Sequence, residues 1–145
     1  MRPRVTRNDA DGHGRARMRS GVVAGLVLVA LAAGSCDSGP SAGDLVFNLT
    51  TPNQDDGAIQ FRLTSVAPAA IVDVAAECQG CQVFTQAVSD TEVRGVLLGT
   101  VVPGAALRVT VSDRKAAGYA ATVAAVSNRQ YGLRSAVGYT LAPAP

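Results

Sequence analysis

The stretch "AECQGCQVF", residues 76–84, sets Cys78 and Cys81 around Gln79 and Gly80. Two thiols at this spacing can exchange electrons, supply half of a metal site, or close a disulfide across a turn. A structural zinc site needs four ligands, usually Cys and His. The chain has one histidine, His13, far upstream, and one further cysteine, Cys36. Haem attachment would need histidine at position 82, which is Gln. A redox centre places its first cysteine at a helix N-terminus, where the dipole lowers the thiol pKa, and no such strand-helix pattern surrounds this pair. A β-turn with Gly80 as its third residue suits type II geometry and brings its end Cα atoms within ~7 Å, overlapping the ~4.4–6.8 Å that a disulfide requires. A structural disulfide is therefore expected if the pair lies in an oxidising compartment. A redox-active pair, or free or intermolecular thiols, are the alternatives.

Other side chains that could do chemistry are sparse. Asn53, Asp55 and Asp56 in "PNQDDG" suggest calcium. Aligned on Gly57, however, a calcium loop would want ligands at 52 and 54, which are Pro and Gln. A solvated turn is expected there. The carboxylates Asp90 and Glu92 are likewise expected to be solvated, and a Ser/His/Asp set cannot be assembled downstream of His13. Arg129, Tyr131 and Arg134 in "NRQYGLR" could form a polar recognition patch for a partner, or a loop whose tyrosine anchors its body in the core. No cofactor or metal is implied, and an enzyme is not expected.

The N-terminal third supplies the address. Six of the 13 basic residues precede residue 20, whereas from Cys36 onward seven basic residues face nine acidic ones, a formal charge of −2. A basic patch on the folded part, which nucleic-acid binding requires, is not implied. After the arginines comes "GVVAGLVLVALAA", residues 21–33, too short for the ~20 residues of a spanning helix but fitting the apolar region of a secretory signal. The ending "AGSC" resembles the lipobox of bacterial lipoproteins, in which cleavage precedes a cysteine that then carries diacylglycerol. That resemblance implies lipidation at Cys36, removal of residues 1–35, and attachment to a bacterial membrane on its exported side. Ala33 stands where the lipobox usually has a larger aliphatic residue. The compact "MRSGVVAGLVLVALAAGSC" from Met18 reads as a complete signal, so Met18 rather than Met1 is the expected initiator. Residues 36–43, small and polar after Cys36, read as a flexible linker.

From residue 44 to 145 the chain shows period-two alternation. "DLVFNLT" puts Leu45, Phe47 and Leu49 on one face, and "AIQFRLT" does the same with Ile59, Phe61 and Leu63. With the turn residues of "TPNQDDG" between them, these two segments are expected to form a hairpin. Further strands are expected at 71–76, 83–88, 92–98, 105–112, 119–126 and 137–141. The segment 113–126, rich in alanine, would also suit a helix. Its β-branched Thr122 and Val123 and the Tyr119/Ala121/Val123 alternation favour a strand. Seven to eight short strands in about 100 residues predict an all-β antiparallel sandwich. The opening "GDLVFNLTTPNQDDGAIQF" is similar to the first strands of short bacterial lipoproteins with cohesin-like or immunoglobulin-like sandwiches. The expectation is a lipid-anchored interaction or structural module, its partners the membrane and an envelope protein or polymer. A thiol-disulfide protein using Cys78 and Cys81, or a small-ligand carrier, are the alternatives.

Overall fold

The computed structural model describes residues 39–145, and the leader, Met18 and Cys36 lie outside them. Nine strands and no helix make up the described residues: β1 Gly43–Thr50, β2 Asp56–Thr64, β3 Ile71–Ala76, β4 Gln82–Ser89, β5 Glu92–Val101, β6 Gly104–Val111, β7 Ala120–Asn128, β8 Leu133–Arg134 and β9 Thr140–Pro143. They form two antiparallel sheets, one ordered β3-β6-β1-β9 and the other β4-β5-β2-β7-β8. The alanine-rich 120–128 segment is strand, as its alternation predicts. Of the expected linker, Gly43 already belongs to β1, and Ser41 is tied to the β6–β7 loop through its N–H to Asp113 Oδ1 at 3.0 Å.

The alternating residues meet between the sheets. Phe47 and Leu49 of β1, and Leu107, Val109 and Val111 of β6, close on Ile59, Phe61 and Leu63 of β2 and Leu97 of β5, all buried. Each such side chain taken out of water contributes roughly 1.5–3 kcal/mol, so this two-sided core fixes which face of each strand turns inward.

The expected hairpin between the first two strands does not form. A strand has two edges, and both edges of β1 are taken, by β6 and β9, as both edges of β2 are by β5 and β7. The loop 51–55 instead carries the chain from one sheet to the other. Leu133–Arg134 adds a short strand that the sequence pattern does not announce, and the last strand begins at Thr140, leaving Val137 exposed before it.

A bulge at the start of β2 reverses the direction of one carboxylate. Asp56 pairs with Val101 and Asn128, the register then shifts, and regular pairing resumes at Ala58. Against β7 the extra residue is Gly57, where a Cβ would lie 2.8 Å from the Asn128 carbonyl oxygen, whereas against β5 the extra residue lies on β5, between Leu98 and Val101. Strict alternation back from Ile59 would turn Asp56 outward. The bulge re-aims it into the sandwich.

Candidate functional site

The cysteines are bonded to each other, with S–S 2.01 Å and Cα–Cα 5.5 Å. The Cys81 N–H donates to the Cys78 carbonyl at 3.2 Å, and Gly80 has φ 74°, which closes the turn as its spacing predicts. The turn lies where the chain passes from β3 in one sheet to β4 in the other, and both cysteines pack against the edge of the core. Closing so small a loop constrains the unfolded chain by about 2 kcal/mol on the chain-entropy account.

The second cluster is built around Asp56, whose side chain is fully buried. Thr51 Oγ1 donates to its Oδ2 at 2.6 Å, and the Tyr139 hydroxyl donates to its Oδ1 at 2.8 Å. The same hydroxyl accepts from Asn53 Nδ2 at 2.7 Å. Arg134 approaches from the rim, with Nη1 3.2 Å from Asp56 Oδ1, and forks onto Asp55 with Nη1–Oδ1 2.6 Å and Nη2–Oδ2 2.8 Å. The fork matches guanidinium to carboxylate geometry. It holds the Asp55 carboxyl below its ordinary value of 3.8, chiefly through the hydrogen bond from Arg134, and Asp55 in turn raises Arg134. Among the described residues, no buried side-chain N or O lacks a partner.

Two expectations are corrected here. The "PNQDDG" segment is not simply a solvated turn, because the bulge sends Asp56 inward, and its oxygens are occupied by two hydroxyls and a guanidinium. Arg134 lies outside the depression that Arg129 and Tyr131 line. Its side chain, 25% exposed, faces Asp55 and Asp56 instead. Glu92 is also less free than expected, being clasped by Arg62 at 2.6 Å and Arg94 at 2.9 Å, which lower its pKa.

Arg129 and Tyr131 line an open site on the outer face of the five-stranded sheet. Asn128 shapes the loop that carries them: its Oδ1 accepts from the N–H of Gln130 at 3.0 Å and of Gly132 at 2.7 Å. Tyr131 adopts φ 65° in this loop and is 91% exposed, so its ring is not the anchor in the core that one reading expected. The anchoring tyrosine is Tyr139. With Ala58, Leu98 and Ser127, Arg129 and Tyr131 bound a depression of about 310 Å³. Leu133, also exposed, lines an adjoining depression with Gln60, Val96 and Ala125, and a third, of about 430 Å³, lies among Gln60, Phe84, Gln86 and Arg94. The result is a run of shallow, mixed apolar and polar surface along one sheet face.

Sequence reasoning missed Asp56 and Tyr139 as partners, and Leu98, Leu133 and Phe84 as surface. The available signal for the first pair was Gly57, a glycine immediately before a regular alternation, which marks a bulge. For the exposed residues the pattern holds no signal, since an outward apolar side chain on a strand is indistinguishable from an inward one until the partner strand is known.

No protein-family model matches the chain, and no curated protein or solved structure is similar to it.

Proposed function

We propose that this chain is a lipid-anchored, non-enzymatic binding module of the bacterial envelope, resembling lipoproteins with immunoglobulin-like or cohesin-like sandwiches. It presents the outer face of its five-stranded sheet to an envelope protein or polymer. The leader, the "AGSC" sequence at Cys36 and a Cys78–Cys81 disulfide, which persists outside reducing compartments, support the address. The use of Asp56, the most deeply buried carboxylate among the described residues, as a hydrogen-bond hub supports a structural rather than catalytic role for the polar cluster.

The observation that carries the binding reading is Tyr131, held clear of the core by the Asn128-shaped turn and standing beside Leu98, Ala58 and Arg129. An exposed aromatic with an arginine and aliphatic surface around it is the side-chain chemistry enriched where partners dock. Two experiments test the two halves. Labelling with an alkyne palmitate analogue should tag the wild-type chain and leave Cys36→Ala untagged. An untagged wild type removes the anchor. A photo-crosslinking amino acid at position 131, used in intact envelopes, should give a discrete adduct that the same group at exposed Asn48, on the other sheet, does not give. Equal yields at both positions would remove the face.

A further inference from the structure

The two sheets present four edge strands, and three of them carry features that discourage pairing with another chain. β8 has two residues, β9 has four and ends in Pro143, and β3 bears Asp73 beside a register shift. β4 is different. It is eight residues long, holds no charge, proline or glycine, runs in regular register from Gln82 to Ala87 against β5, and is exposed along nearly its whole length. Among the described residues, one edge of its backbone has no strand beside it.

The sequence of that edge says what fits it. Residues 82–86 read Gln-Val-Phe-Thr-Gln, which is nearly the same in both directions: glutamine at both ends, the isosteric β-branched Val83 and Thr85 inside them, and Phe84 at the centre. An antiparallel pair about a two-fold axis sets residue i against its mirror position in the copy, so a strand of this kind is complementary to itself. Placed on Phe84, the axis pairs Gln82 with Gln86 of the second copy, Val83 with Thr85, and the two Phe84 rings with each other. Faces agree as well. Phe84, 59% exposed, pairs with Val96 across the outer face, and Val83 and Thr85 pair with Leu97 and Gly95 across the inner one. Amide-to-amide, β-branched and aromatic cross-strand pairs are all favourable, and no like charges oppose.

From this edge we infer that the protein forms a two-fold homodimer by antiparallel pairing of β4 with β4 of a second copy, centred on Phe84. The two five-stranded sheets then run on as one, and the depression around Phe84, Gln86 and Arg94 is completed by the second copy.

Charge placed at positions 82 and 86 tests the register. In the full chain, Gln82→Lys with Gln86→Lys sets lysine against lysine twice across the axis. Gln82→Lys with Gln86→Glu sets lysine against glutamate twice. Sedimentation equilibrium should show the dimer dissociation constant raised at least about tenfold in the first, the scale of two repulsive cross-strand pairs, and within about threefold of wild type in the second. Because position 86 also pairs with Arg94 within the chain, urea unfolding of both variants is measured alongside, so that a change in the fold is separated from a change at the edge. In parallel, Phe84→Cys should form an interchain disulfide, mapped to residue 84 by mass spectrometry. Facing Cα atoms in an antiparallel pair lie ~4.5–5.5 Å apart, within disulfide range, whereas Gln60→Cys on a central strand should not cross-link. A wild-type chain that stays monomeric at about 100 μM, a concentration at which even weak pairing is populated, would overturn the inference. So would equal dissociation constants for the two charge variants, or adducts at residue 84 with a different protein instead of a second copy.

Discussion

The cluster around Asp56 and the strand β4 use the same groups, hydrogen-bond donors and acceptors, in opposite ways. At Asp56 a carboxylate, two hydroxyls, an amide and a guanidinium close on one another so completely that no buried side-chain N or O among the described residues is left over. Along β4 a full backbone edge and a phenylalanine ring stand open. One region holds the fold together where the chain crosses between sheets. The other is available to something else. The contrast separates groups spent within the fold from groups left open, a distinction that composition alone does not draw, since both regions mix polar and apolar residues.

Substitutions should respond to this difference in graded fashion. Asp56→Ala leaves Thr51, Tyr139 and the nearer face of Arg134 without their acceptor inside the protein, and is expected to cost about 3–5 kcal/mol, the range for breaking a buried charged network. Urea unfolding followed by far-UV circular dichroism measures it. A loss below 1 kcal/mol would mean that the cluster is not the clasp described. Tyr139→Phe removes one hydrogen bond to the carboxylate and is expected to cost about 1.5–3 kcal/mol in the same assay. Gly57→Ala should cost about 1–3 kcal/mol, because the added carbon presses on the Asn128 backbone at the bulge that aims Asp56.

Acid should act on the ion pairs around and beyond the cluster. Asp55 is held below its ordinary value of 3.8 by Arg134, Glu92 below 4.5 by Arg62 and then Arg94, and Asp113 below 3.8 by the N–H groups of Ser41 and Lys115. A lowered folded-state pKa means that the unfolded chain binds protons first. Stability from these groups is therefore fully present above about pH 4.5 and is lost as pH falls through the lowered values. A urea midpoint that is level from neutrality to that point and then declines is the expected profile. The smallest effect belongs to the open face: Tyr131→Ala should change stability by no more than about 0.5 kcal/mol, while reducing partner capture.

What could be read from the sequence follows the physics of alternation. "AIQFRLT" and "ALRVTVS" announce their inward faces because one side of each strand is buried, and Tyr119, Ala121 and Val123 distinguish strand from helix in an alanine-rich stretch. Alternation reports facing and not neighbours, so the partners of β1 were hidden and the nearest turn suggested the wrong one. Asp56 was hidden for a related reason: one inserted glycine reverses the facing of everything before it. The Cys78–Cys81 bond was legible because a turn and a disulfide demand the same short distance. Arg129, Tyr131 and Arg134 looked equivalent within seven residues of loop, and only the position of Asp55 separates the last from the other two.

The placement of β1 between β6 and β9 has a consequence for a chain delivered from its N-terminus. β1 emerges first, yet its neighbours are contributed by residues 104–111 and 140–143. One flank stays bare until residues 104–111 have arrived and the other until residues 140–143 have, and non-local pairing of this kind is slow to assemble. Threading through a narrow conduit would thus meet little resistance from premature compaction of the four-stranded layer, and a product cut short before residue 140 would leave one edge of its first strand uncovered.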